Sequence, residues 1–239
     1  MTIDTLRQRL AGRLARVRAA MTDPDSLRSW TVIANDGIIA TAGILEGFAG
    51  AGASHATLVT AATSATIAGI VSAGGSEWAE AAAEREAHLT AAAEEVLELA
   101  RQPDVELAQL ITYYEAKGLD PELAREVSGK LMSRDALDTQ LESEHGILDV
   151  KSRGEVLQAA IGGAVAYGLG ALIPLVITIS APLNAEPWLI VLAALVSLTI
   201  TSIVGARTGH MNLRRTLIRT LTVGILAMSI SYLVGNLIF

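Results

Sequence analysis

The stretch Ser76–Glu98, SEWAEAAAEREAHLTAAAEEVLE, decides the reading of this chain, because it follows without interruption on an apolar run, His55–Ser76, long enough to cross a bilayer. Read as one continuous helix at about 100° per residue, it places Glu77, Glu80, Glu84, His88, Glu95 and Glu98 within a sector of roughly 80°. Like charges at this spacing repel, and helix propensity does not ask for them to share a face. A divalent cation held between this stripe and carboxylates of neighbouring helices accounts for it. The competing reading is a solvated Ala/Glu-rich face that keeps an acidic domain soluble, and Glu86, Glu94 and Glu115 fit that description. For the stripe taken with the segments that follow, metal is the stronger reading.

Composition supports a membrane protein with an acidic insert. The chain has 239 residues, 51% of them hydrophobic, with a mean hydropathy of +0.43, which is too apolar for an average soluble domain. The formal charge of -7 is concentrated between Glu77 and Glu155. With no cysteine, any metal must be held by oxygen or imidazole ligands. The sequence contains no nucleophile–base arrangement, no phosphate-cradling loop and no redox-cofactor motif, so an enzyme is not expected. Neither is a nucleic-acid partner.

Five segments have the length and apolarity of membrane spans: Thr31–Gly52, His55–Ser76, Val156–Ile179, Pro187–Ala206 and Leu217–Phe239. Lys and Arg collect in the N-terminal segment, in the insert between spans two and three (Lys117, Lys130, Lys151, Arg153) and between spans four and five (Arg207, Arg214, Arg215). The loops GAGASHA and SAPLNAEP carry none. The distribution of basic residues therefore predicts a cytoplasmic N-terminus and insert and a C-terminus outside the cytosol. The N-terminal stretch MTIDTLRQRLAGRLARVRAAM lacks the apolar core of a cleaved signal. Its Leu6, Leu10, Leu14 and Val17 among arginines suit either a helix on an anionic leaflet or a solvated helix.

Spans one and two are rich in Gly, Ala, Ser and Thr, which lets helices pair closely, within one chain or between two. Span one also carries Asp36 and Glu46, about two and three-quarter turns apart. Alone, Asp36 reads as an interfacial cap or an Arg partner. Together the two acids point to water or an ion reaching this span.

The insert reads as two further helices after the stripe. Pro103 and Asp104 open one that runs to about Lys117 before Gly118, and Asp120 and Pro121 open another that stops at Gly146. Leu107, Leu110, Ile111, Leu123, Val127, Leu131 and Leu137 supply the expected core of a three-helix bundle. His88 and His145 are candidate ligands, whereas His55 and His210 fall in loops. The expected divisions are residues 1–29, an N-terminal amphipathic segment; 30–76, spans one and two; 77–154, the metal-binding insert; and 155–239, spans three to five.

These residues resemble the vacuolar iron transporter family, the Ccc1-type Fe2+/Mn2+ transporters. The matching stretches are ANDGIIATAGILEGFAGAG in span one, IAGIVSAGGSEW at the end of span two, VELAQLITYYEAKGLDPELAREVSGKLMSRDAL in the insert, GALIPLV in span three and YLVGNLI near the end. The resemblance implies an all-α membrane protein, a homodimer of five-span chains with a cytoplasmic three-helix metal-binding bundle between spans two and three. It also implies exchange of cytosolic Fe2+ or Mn2+, with Zn2+ and Co2+ as further candidates, for protons. Asp36 matches the family's path-lining aspartate. Glu95, Glu98, Glu106 and Glu144 match its metal-binding glutamates, and Gln109 falls where another glutamate is usual, offering a neutral oxygen. Glu84, His88 and Glu142 remain additional candidates, because the alignment through the Ala-rich helix can slip. Ser72-Ala73 replaces the usual Ser-Met of span two, and Gln140 and Leu141 replace methionines, so the loss of sulfur ligands implies harder ions such as Mn2+ or looser selectivity.

The expected mechanism is proton-coupled export. The acidic bundle collects cytosolic metal, Glu77 and Glu80 pass it on, and Asp36 and Glu46 line the path and release the ion when protonated from the far side. Compositional bias toward Ala, Gly and Arg suggests a high-GC bacterium, and the expected location is a bacterial plasma membrane. The alternatives are a membrane-anchored metal buffer or sensor, and a passive cation channel.

Overall fold

The computed structural model of the protein describes residues 24–180 and 186–238. They form seven helices: α1 (Pro24–Gly50), α2 (His55–Arg101), α3 (Pro103–Ala116), α4 (Pro121–His145), α5 (Arg153–Ser180), α6 (Glu186–Thr208) and α7 (Leu213–Ile238). Five of them, α1, α2, α5, α6 and α7, are long and apolar enough to cross a membrane. The Arg-rich stretch before Pro24 and most of the SAPLNAEP loop lie outside the described residues. The chain divides into two compact units, one running to Ser76 and resuming at Ala160, the other Glu77–Ala159.

The first unit holds the apolar helices. Its core joins Ile38, Ala42 and Leu45 of α1 to Leu58 and Ala62 of α2, Leu175 of α5, Ile190, Ala194 and Leu198 of α6, and Met228 of α7. Large apolar side chains such as Val71, Leu169, Val196 and Ile230 face outward, as a lipid solvent permits. Small residues set the approach of the helices. A Cβ on Gly235 of α7 would meet the Gly47 carbonyl of α1, and one on Gly170 of α5 would meet the Ala34 carbonyl. Pro174 inside α5 removes a helical donor, and the Thr178 hydroxyl donates to the Pro174 carbonyl at 2.9 Å. Helix α1 begins seven residues before the expected Thr31, because the polar turn that includes Ser26 and Arg28 continues the helix ahead of the apolar segment.

The second unit is built from the Glu77–Arg101 part of α2, helices α3 and α4, and the start of α5. Pro103 opens α3, and Gly118, at φ 97°, reverses the chain after it. The Asp120 carboxylate accepts from the Glu122 and Leu123 backbone N–H groups at 3.1 and 3.0 Å, capping α4. Gly146, at φ 67°, ends α4. At Asp135 the backbone leaves the helical region (φ −156°, ψ 86°). There the carboxylate accepts from the Asp138 N–H at 3.3 Å and restarts the helix.

The core of this unit differs from expectation. Leu110 is buried, but Leu123 is 45% exposed, because the buried face of α4 in its first turns runs through Ala124 and Ser128 and leaves Leu123 to one side. Ala81, Ala124, Ser128, Gln140 and Leu141 are buried instead, together with two carboxylates, Glu95 and Glu106. Small and polar residues fill much of the space between the helices.

Candidate metal site

The two buried carboxylates meet at the centre of the second unit. Glu95 projects from α2 with 1% of its surface exposed, and neither of its carboxylate oxygens has a hydrogen-bond partner. Glu98 lies one turn further along α2, and Glu106 sits in the first turn of α3, 4% exposed. One ligand atom from each of Glu95, Glu98 and Glu106 fits within a 4.8 Å group. A second group of the same compactness joins Glu95 to Glu144 and His145 at the end of α4. Glu95 belongs to both.

Amides hold the neighbouring carboxylates. Gln140, fully buried on α4, donates to the Glu106 side chain at 3.0 Å and to the Glu106 backbone carbonyl at 2.9 Å. The Ser143 hydroxyl donates to the Gln140 amide oxygen at 3.0 Å, fixing which way the amide faces. Gln109, oriented to satisfy both partners, donates to Glu106 at 2.8 Å and to Glu144 at 3.2 Å. The sequence implied a neutral oxygen ligand at this position. In that orientation the Gln109 nitrogen faces two carboxylates, and the opposite orientation would turn its oxygen toward an ion bound between them.

Electrostatics follow from this crowding. Burial, then the nearby Glu144, Glu106 and Glu98, push the Glu95 carboxyl up to about 7. Burial and the same negative neighbours, Glu144 and Glu98, raise Glu106, which the hydrogen bond from Gln140 partly offsets. A cluster that resists ionisation when empty gains most from a divalent ion, which supplies the missing positive charge.

The other candidate residues lie apart from this cluster. Glu77, half-buried, and Glu80, exposed, occupy the start of the α2 segment in this unit. Glu84 forms an ion pair with Lys151. His88 is half-buried with an unpartnered Nδ1, and Glu142 is exposed on α4. Of the six stripe residues, only Glu95 and Glu98 join a compact group, because α3 and α4 bring carboxylates to that end of the stripe. The alternative ligands Glu84, His88 and Glu142 enter neither group.

In the first unit, Asp36 is exposed on α1, between Asn35, whose side-chain oxygen accepts from the Thr201 hydroxyl of α6, and Gly37, packed on the α5 backbone at Tyr167. Glu46 is 4% exposed, and its Oε1 has no partner. Ten residues of helix separate the two acids by about 15 Å.

A sequence model of the VIT family matches residues 27–236, nearly all of the described chain. The chain belongs to the VIT family. A vacuolar iron transporter of Acanthamoeba castellanii is 30% identical over 215 residues, covering 88% of this chain and 78% of the relative. Vacuolar iron transporter 1 of Tulipa gesneriana is 25% identical over 214 residues, covering 88% and 86%. Vacuolar iron transporter 1 of Eucalyptus grandis is 28% identical over 160 residues, covering 66% and 64%. VIT proteins are transporters and not enzymes, in keeping with the absence of a catalytic motif.

Two residues gained weight only in three dimensions. Gln140 stood out in sequence as a lost methionine, and its role as the buried holder of Glu106 comes from the packing of α4 on α3. His145 was one of two candidate histidines, and only the end of α4 distinguishes it from His88.

Proposed function

We propose that this VIT protein is a divalent-metal transporter that exports Fe2+ or Mn2+ from the cytosol in exchange for protons. The observation that carries the reading is Glu95, a buried carboxylate with both oxygens unpartnered, shared by two compact ligand groups. Such a group is costly unless a cation completes it. Five long apolar helices and the names of the relatives support transport of that ion across a bilayer. The basic residues of the insert and of the span-four to span-five loop favour a cytoplasmic acidic unit. Small-residue faces on the first two spans suit a homodimer.

In this mechanism the cluster around Glu95 captures the ion, and Glu77 and Glu80 pass it on. Asp36 and Glu46 receive it within the membrane. Protons arriving from the far side compete for the same carboxylates and release the metal. A buffer that used its helices only as an anchor would need one span and no buried acid such as Glu46.

The test is metal uptake into proteoliposomes, with Fe2+ and Mn2+ offered separately, a pH-sensitive dye inside and Asp36→Ala as control. Metal entry accompanied by proton exit, both lost in Asp36→Ala, is the expected result. Metal binding without crossing would falsify transport and leave a buffer.

A further inference from the structure

We propose that His145 is a metal ligand of this chain. Its imidazole makes the Glu95–Glu144–His145 corner a mixed nitrogen–oxygen subsite that prefers borderline ions, Fe2+, Co2+ or Zn2+, over hard ions such as Mn2+ or Mg2+. The inference rests on the metal-binding reading above and narrows it to a class of ion.

Four observations converge on it. A His145 ring nitrogen and carboxylate oxygens of Glu95 and Glu144 lie within 4.8 Å of one another. The Glu95 carboxylate in that group is 1% exposed with both oxygens unpartnered, so the corner contains an unmet demand for positive charge. His145 forms no side-chain hydrogen bond or ion pair among the described residues, so its imidazole is not already committed to a neighbour. It is also held in place. As the last residue of α4 it is followed by Gly146, whose N–H donates to the Glu142 carbonyl at 3.1 Å, and by Ile147, whose N–H donates to the Leu141 carbonyl at 3.0 Å. The Ile147 side chain is 8% exposed, which anchors the turn from beneath.

The two ligand groups differ in chemistry. Glu95, Glu98 and Glu106 offer oxygen alone, which suits Mg2+, Ca2+ and Mn2+. Adding imidazole raises the affinity of the neighbouring corner for Fe2+, Co2+ and Zn2+ relative to those ions. Gln140 and Leu141 provide no thioether, and His145 is the softest donor in the two ligand groups. The loss of sulfur implied harder ions or looser selectivity, and an imidazole ligand at His145 argues for the borderline ions instead. His145 is exposed and Glu95 buried, so the imidazole is open to an arriving ion.

The experiment uses the full-length chain purified in detergent and loaded with one equivalent of Zn2+ or Co2+. X-ray absorption of the bound ion reports imidazole through scattering from the ring, and competition titrations report Co2+ and Mn2+ affinities. The expected result is imidazole scattering in the unmodified protein and in His88→Gln, and its loss in His145→Gln. Co2+ affinity in His145→Gln falls about tenfold or more, and Mn2+ affinity by less than about threefold. Oxygen-only scattering in the unmodified protein, or equal losses for both ions, overturns the assignment while leaving metal transport intact. A chain that binds neither Co2+ nor Mn2+ and moves no metal in proteoliposomes overturns the underlying reading as well.

Discussion

Glu95 concentrates the chemistry of the molecule in one side chain, and its titration can be followed through to stability. Its carboxyl stands near 7 in the metal-free fold against an ordinary 4.5. Between those values the native state keeps a proton that the unfolded chain has released, so stability is highest at low pH and falls as pH rises through this window. Metal-free protein in detergent with a chelator should therefore melt at a lower temperature at pH 8 than at pH 5.5. Glu95→Gln should remove much of that difference, raising stability at pH 8 by about 1–3 kcal/mol, while losing the stabilisation that added metal gives. A Glu95→Gln protein that melts lower than the parent at pH 8 would contradict the electrostatic account. Gln140 makes the opposite case, since it stabilises what Glu95 strains. Gln140→Leu removes both bonds to Glu106 and should cost about 1–3 kcal/mol, with weaker metal binding in the same titrations. At this scale the sequence exposed the acids and hid the amides. An angle of 100° per residue brings Glu95 and Glu98 to one face, but nothing along the chain announces that Gln140 turns its nitrogen toward a carboxylate on another helix, or that Gln109 lies between Glu106 and Glu144.

Among the elements, α4 shows how local chemistry positions the site. The helix is interrupted at Asp135, whose side chain accepts from the Asp138 N–H and so starts the segment that carries Gln140, Glu144 and His145. Asp135→Ala should cost about 1 kcal/mol of stability through the lost cap, while Asp135→Ser or Asp135→Asn retains it. Because the cap sets the direction of that segment, Asp135→Ala should also weaken metal binding at a distance from every ligand. Melting curves and metal titrations on the three variants separate this from a plain surface change, in which Ser would rescue nothing. Helix boundaries were legible where punctuation marks them: Pro103, Gly118, the Asp120–Pro121 pair and Gly146 all fall at observed ends. The break at Asp135 was not, because an Asp inside SRDALD resembles any exposed helical acid until its φ and ψ are known. Leu123 misled for a related reason: hydrophobicity selects candidates for a core, and only the crossing of α3 with α4 decides which are covered.

For the whole molecule, the five long apolar helices were visible in sequence because a bilayer imposes a length on any helix that spans it. Their pairing was not, since it depends on which glycines meet a carbonyl, as Gly235 does Gly47. The exchange proposed for this VIT protein makes a demand that neither the acidic unit nor the apolar helices meets alone, because metal and proton must share one energy account. Two protons returned per divalent ion keep the exchange electroneutral. One pH unit across the membrane is then worth about 1.36 kcal/mol per proton. Vesicles held two units more acidic inside should therefore accumulate metal against its gradient, up to a limiting ratio of about ten-thousand-fold. Collapsing the pH difference with a protonophore should return the ratio toward unity. A passive channel equilibrates the ion whatever the internal pH, so uptake that stops at equal concentrations with the gradient intact would replace exchange by simple permeation. Asp36→Ala should abolish accumulation while leaving metal binding to the Glu95 cluster unchanged, which places the loss in the path and not in capture.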